Sequence, residues 1–377
     1  MNQTAIYIHV PFCDHKCIYC DFYSIITSDN ISGFLQSLKK EILFYSERYS
    51  EGREIISIYF GGGTPSLLQP DQIGSILSEV KKYFTVSANA EITMETNPGT
   101  VTTYKLTEFK DTGINRLSIG IQSFDDQDLK FLTRIHDSST AKETVINAKQ
   151  SGFNNVSIDL IFNLPEQTLE KWLKNLNEAI RLPVKHISAY SLILERGTIL
   201  NKMVLDGKVK LQDDDYDADL YRNTISFLSS NGFSQYEVSN FAQNGFECIH
   251  NLAYWTYKDY IGLGPSAHSF VDKKRWWNFS SLRFYIAAIN QHGNAERHSE
   301  ILSSDQMLDE YIMLSFRSGG INFQALEEKF GVTWLKENYG YLEMLKNKNL
   351  IRMNSKMASL TADGYAVCDE IVKNLLK

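Results

Sequence analysis

The chain has no run of about twenty apolar residues, so nothing in it reads as a membrane-spanning helix. It also lacks an excess of basic charge. Its 38 Lys and Arg stand against 45 Asp and Glu, a formal net charge of −7, which argues against a broad nucleic-acid surface. The opening MNQTAIYIHV has neither the basic start nor the apolar core of a cleavable leader, so a cytoplasmic protein is expected. No internal repeat or low-complexity tract is present. Cysteine is scarce, five in 377 residues, yet Cys13, Cys17 and Cys20 fall within VPFCDHKCIYCDF. In a reducing compartment such clustering points to metal or redox chemistry rather than a disulfide.

With 43% hydrophobic and 22% charged residues, the chain has an ordinary globular composition and the length for one large domain plus a smaller one. Its first half alternates. Strands are predicted at Ala5–Val10, Glu54–Phe60, Ala90–Thr96, Arg116–Gln122, Val156–Phe162 and His186–Leu192. Between them lie helical stretches over 32–49, 72–83, 104–111, 139–151 and 169–180. Six strands alternating with helices predict a parallel sheet, apolar on both sides and covered on both faces. In such sheets ligands collect at the C-terminal ends of the strands. The unusual residues gather there: the cysteines after strand one, Gly61-Gly62-Gly63 after strand two, Glu95 in strand three, Gln122 after strand four and Asp159 in strand five.

Beyond residue 200 the rhythm breaks. A helix is predicted over 213–230, then an extended stretch, then the aromatic-rich HNLAYWTYKDYIGLGPSAHSF with Trp276-Trp277 behind it. From about Ser303 the pattern is helical and closes with a hairpin over 350–360 and a last helix, which suggests a winged-helix-like module. From Ser304 to Lys377 ten acidic residues face nine basic ones, a balance suited to docking rather than nucleic-acid binding.

A zinc ribbon needs a second cysteine pair at a distance, and none exists. Three thiolates suit a four-iron cluster whose fourth iron stays open for a ligand. The polar Asp14, His15 and Lys16 between the cysteines argue against a trio of merely buried thiols.

The C-x3-C-x2-C spacing in a loop after the first strand resembles the radical S-adenosylmethionine (SAM) superfamily. With GGGTPS, ETNPG, SIGIQSF, LTRIH and SIDLIFNLP, nearly the whole chain resembles the branch of oxygen-independent coproporphyrinogen III oxidases and HemW-type heme chaperones. The resemblance implies an α/β fold: an incomplete parallel (β/α)6 barrel of radical SAM type with a smaller, mostly helical, winged-helix-like C-terminal domain. It implies a barrel over 1–240, a connecting region over 241–300 and the C-terminal domain over 301–377. It also implies a [4Fe-4S] cluster on Cys13, Cys17 and Cys20, which can pass an electron to the SAM sulfonium. SAM would be held by Tyr7, Tyr19, Gly62, Gly63, Thr64 and Glu95, with Gln122, Arg134 and Asp159 matching contacts to a second SAM.

Two features separate the branches. The oxidases carry a further cysteine two positions after the third, where this chain has Phe22, and a longer N-terminal segment. HNLAYW matches the H-N-x-x-Y-W pattern associated with heme in the chaperones, which makes His250, Asn251, Tyr254 and Trp255 candidate heme contacts. Cys248 is an alternative soft ligand. On composition alone, a single histidine among aromatics is more often a satisfied core residue. The resemblance therefore implies a heme carrier rather than an oxidase. Heme is the expected cargo, and apo-heme proteins, with respiratory membrane enzymes foremost, are the expected partners. The chain would be cytoplasmic, touching membranes only through acceptors, and open to homodimer formation. The alternatives are coproporphyrinogen III oxidative decarboxylation and radical modification of another substrate.

Overall fold

The computed structural model describes residues 1–27, 29–331 and 333–376; Ser28 in the expected barrel, and Val332 and Lys377 in the expected C-terminal domain, lie outside the described residues. Six strands, β1 (Asn2–Val10), β2 (Arg53–Gly62), β3 (Val86–Thr96), β4 (Arg116–Gln122), β5 (Asn155–Phe162) and β6 (His186–Ser191), lie side by side in parallel and in chain order. The intervening helices start at caps the sequence supplies: the side chains of Thr102, Asp137 and Thr168 each accept a backbone N–H of the first turn. The helix Thr103–Thr112 ends at Gly113, whose φ of 112° is open to glycine at little cost.

The two faces of this sheet differ. One buries Ile6, Ile8, Ile58, Phe60, Ile92, Met94, Leu117, Ile119, Ile158 and Leu160 against the helices. The other carries Tyr7, Tyr59, Glu95, Ser118, Asp159 and Ser188, with Tyr7 beside Tyr59, Glu95 beside Ser118 and Asp159 beside Ser188. Sequence reading expected strands apolar on both sides; the inner face is polar instead, because it lines the site.

The sheet is also larger than six strands. On one edge β7 (Ser234–Gln235) and β8 (Asn240–Ala242) follow β6 in antiparallel pairing. On the other, β9 (Asp259–Leu263) joins β1 as a seventh parallel strand. Then β10 (His268–Val271), β11 (Lys274–Asn278) and β12 (Glu296–Ile301) follow, antiparallel. Gly262 permits the approach of β10, since a Cβ there would sit 2.0 Å from the His268 carbonyl oxygen. Within residues 241–300, Ile261, Leu263, Trp276 and Tyr285 share one core with β1 and β2. The buried Glu41 ties this extension to the helix Ile31–Tyr49. It accepts from Gly264 N (2.8 Å), Tyr285 OH (2.7 Å) and Asn278 Nδ2 (2.6 Å), and burial pushes its carboxyl up to about 7.

The C-terminal residues form a second core. The helices Ser304–Phe316, Phe323–Phe330 and Thr333–Asn347 pack Leu308, Ile312, Phe316, Leu326 and Leu342 against a three-stranded sheet. Its strands are β13 (Ile321–Asn322), β14 (Ile351–Met353) and β15 (Met357–Leu360), in the order β13-β15-β14. The last two are the expected hairpin. Among the described residues no helix is long and apolar enough to cross a membrane.

Candidate functional site

The site lies at the C-terminal ends of the parallel strands. Glu95, on β3, accepts the Tyr59 hydroxyl at 2.9 Å and the Gly62 N–H at 3.2 Å. Burial, reinforced by the charge of Asp159, pushes its carboxyl up to about 7. Asp159, on β5, accepts from Ser118 Oγ at 3.2 Å, and burial raises its carboxyl too. Two carboxyl groups out of water and within electrostatic reach of each other favour the arrival of a cation or of hydroxyl donors.

The loop after β1 carries the cysteines. It is pinned at its base by Cys13 N–H to Ile25 O (3.0 Å) and Ile25 N–H to Pro11 O (2.8 Å). Gly63 N–H to Val10 O (2.8 Å) and Thr64 N–H to Phe12 O (2.7 Å) lock it to the end of β2. Side chains then close a circuit. Cys13 Sγ lies 3.3 Å from Thr64 Oγ1, which accepts from Asn97 Nδ2 at 2.9 Å. Asn97 Oδ1 accepts from Arg134 Nη2 at 2.7 Å, and Arg134 Nη1 points at Cys17 Sγ at 3.6 Å. Gly120 O also takes Arg134 Nη2 at 2.7 Å. Tyr19 packs against Arg134. Arg134 Nε keeps no partner among the described residues, a buried donor left for a ligand. Gln122 ends β4 with a left-handed φ of 72°, its amide beside Gly120.

These positions bring together most residues singled out in the sequence: Tyr7, Tyr19, Gly62, Gly63, Thr64, Glu95, Gln122, Arg134 and Asp159. Asn97, Tyr59 and His9 were missed. Asn97 sits in an N-P-G that reads as a plain turn. His9 packs its ring where a Cβ on Gly62 would fall, 2.7 Å away.

The three cysteines are free and half-buried, and Cys20 is pushed up to about 11, chiefly by burial, with Cys17 and Cys13 adding to it. Among the described residues no three Cys, His, Asp or Glu side chains are drawn together as a finished ligand set. The donor chemistry nevertheless fits a four-iron cluster with one open iron: three thiols outside any disulfide stand on one loop, Cys13 beside Thr64 and Cys17 beside the Arg134 guanidinium.

HNLAYW forms most of the helix Ile249–Trp255, which packs against β2. His250 is buried there, stacked on Tyr59 with ring centroids 4.9 Å apart. Its Nδ1 meets Ser57 Oγ at 3.0 Å and its Nε2 meets the Tyr254 hydroxyl at 2.9 Å. Both ring nitrogens are thus engaged, and burial holds the imidazole near 3. Cys248 is likewise buried, its thiol donating to Glu91 Oε1 at 3.4 Å and pushed up to about 12. Asn251, Tyr254 and Trp255 are half-buried.

Beside the cysteine loop opens a cavity of about 650 Å³, within the range of small-molecule sites. Tyr7 and His9 reach it from β1, Tyr254 from the HNLAYW helix, and Phe22, 62% exposed, from the cysteine loop. Phe22 therefore forms wall where a further thiol would have faced the cavity.

Comparison with known proteins agrees with this geometry. Residues 7–179 match the Radical SAM superfamily. The heme chaperone HemW of Bacillus subtilis is 32% identical over 98% of this chain and 98% of its own length. The mitochondrial radical S-adenosyl methionine domain-containing protein 1 of Danio rerio is 34% identical, over 99% of this chain and 87% of its own. The solved coproporphyrinogen III oxidase HemN of Escherichia coli superposes with a TM-score of 0.85 over 99% of this chain and 90% of that one, at 24% identity, a likeness of fold. With a radical SAM segment and a full-length match to HemW, the chain belongs to the HemW family of radical SAM proteins.

Proposed function

We propose that this protein is a heme chaperone: it binds heme and passes it to apo-heme proteins, and it carries a [4Fe-4S] cluster and SAM. The observation that carries this reading is Phe22. It stands exposed in the wall of an aromatic cavity, directly after the cysteine loop, where the oxidase pattern has another cysteine. The full-length likeness to relatives named heme chaperones supports it.

Cys13, Cys17 and Cys20 hold the cluster in this reading, and Tyr7, Tyr19, Gly62, Gly63, Thr64, Glu95, Gln122, Arg134 and Asp159 hold SAM. The cluster with SAM bound supplies one-electron chemistry at a sulfonium. The chain's own residues do the rest. The Gly61–Gly63 backbone admits a ligand, Glu95 and Asp159 receive its donors, and Arg134 holds Cys17 and Asn97 in place. We assign these tasks to residues 1–300, and to residues 301–377, winged-helix-like in element order, the wall that the helix Ser304–Phe316 gives the cavity. Respiratory membrane enzymes are the acceptors to test first, reached by a cytoplasmic carrier that meets the membrane only through them. A homodimer is the assembly to test.

The likeness of fold to an oxidase makes turnover of coproporphyrinogen III the competing reading. Anaerobic incubation of the reconstituted protein with coproporphyrinogen III, SAM and a reductant separates the two. A carrier forms no protoporphyrinogen above background and retains added heme; catalytic formation of protoporphyrinogen overturns the carrier reading.

A further inference from the structure

Three histidines stand at or near the cavity, and their hydrogen bonds tell them apart. His9 shares Nδ1 with the Tyr7 hydroxyl (3.2 Å) and Nε2 with the Tyr23 carbonyl (2.9 Å). His250 is engaged at both nitrogens, as described above. His268, at the start of β10, is exposed into the cavity and lies flat on Trp277, with centroids 5.7 Å apart and planes 20° apart. Among the described residues neither of its ring nitrogens has a hydrogen-bond partner. Its ring is therefore held in place by stacking while both nitrogens stay available.

The surroundings suit a flat, largely apolar ligand with acidic edges. Tyr254, Tyr260 and Phe270 offer aromatic surface, and Phe22 and Met313 come from the cysteine loop and the C-terminal unit. Lys258 and Arg275 bring cations to the same cavity. Arg275 is already paired, its Nη1 and Nη2 donating at 2.8 and 2.6 Å to Glu310, which lines the cavity together with Asp21, so Lys258 is the lining cation left for a carboxylate. A metallated tetrapyrrole with an acidic edge matches this set: aromatic walls, a cation at Lys258 and one unshared imidazole.

Resting on the heme-carrier reading, we propose that heme occupies this cavity with His268 as its axial iron ligand. HNLAYW then contributes the cavity wall through Tyr254, whose hydroxyl is fixed by His250, rather than the iron ligand.

The test is an anaerobic titration of the full-length, reconstituted protein with hemin, followed by absorbance and electron paramagnetic resonance. The wild type should show a histidine-ligated spectrum. His268→Ala should bind at least tenfold more weakly and lose that spectrum, and added imidazole should restore it, which a merely structural defect would not allow. His250→Gln should keep the wild-type ligation spectrum. If His268→Ala misfolds, as judged by circular dichroism and iron content, His268→Gln replaces it with the same expected loss. Wild-type spectra and affinity in the His268 variant, or loss of ligation in His250→Gln alone, overturn the assignment while the carrier reading stands. Absence of heme binding by the wild type overturns both.

Discussion

Arg134 points a guanidinium N–H at the Cys17 sulfur over 3.6 Å while its other terminal nitrogen holds Asn97, which in turn holds Thr64 beside Cys13. One arginine, more than a hundred residues away in sequence, thus touches Cys17 directly and Cys13 through Asn97 and Thr64. Each of Cys13→Ala, Cys17→Ala and Cys20→Ala should abolish the iron–sulfide absorbance after reconstitution, because three thiolates are the minimum for the cluster. Arg134→Met keeps all three thiols and should still take up iron. It loses a buried guanidinium with an unpaired donor beside the cysteine loop, so SAM affinity should fall at least tenfold, about 1.4 kcal/mol. Equal SAM affinity in the variant, measured by isothermal titration, would contradict this role.

Gly63→Val should damage both cofactor sites. A Cβ at Gly63 would lie 2.4 Å from the Phe12 carbonyl oxygen, in the residue preceding Cys13. The cysteine loop must therefore move. Iron content and SAM affinity should drop together; loss of SAM affinity alone, with full iron content, would mean that the glycine serves ligand approach only.

Glu95→Gln tests the raised carboxyl through pH. In the ligand-free protein Glu95 has been pushed from 4.5 to about 7. A raised carboxyl stabilises the fold below pH 4.5, where it is protonated in both states. That stability is lost as pH rises toward 7, since charging it is easier unfolded than buried. The Gln variant lacks this loss, so its melting temperature relative to wild type should rise between pH 5 and 8. A constant difference across that window would show Glu95 to be unshifted.

His250→Gln should cost about 2 kcal/mol of stability, because Ser57 and Tyr254 are left with buried hydroxyls and poorer partners. Chemical denaturation would register it. A variant of wild-type stability would mean that the two hydrogen bonds contribute nothing.

Much of the barrel was legible because burial writes itself into sequence. The runs AIYIHV, RLSIGIQ and VSIDLIF form β1, β4 and β5, and the helix ends were marked by Gly113 and Gly152. The polar inner face was harder. Tyr7, Tyr59 and Thr93 are compatible with either side of a strand, and only pairing across β1 to β3 aligns them. The extension was not legible. Strands β9 to β12 are short, and β9 finds its partner, β1, some 250 residues away, a choice local pattern does not encode. Within the site, residues with unusual chemistry, such as the cysteines and Glu95, announced themselves. Asn97 did not, since Asn before Pro-Gly is what any turn would use. His250 was caught between two readings. Its composition suggested a satisfied core histidine and its motif a heme contact; its two ring nitrogens are held by Ser57 and Tyr254.

Heme transfer is the decisive measurement for a carrier. Heme-loaded protein is mixed with an apo-heme protein, and the absorbance spectrum is followed anaerobically. The carrier's heme spectrum should give way to that of the holo acceptor, faster than heme released into buffer can supply it. A spectrum that stays with the carrier, or that moves no faster than free heme would, contradicts it.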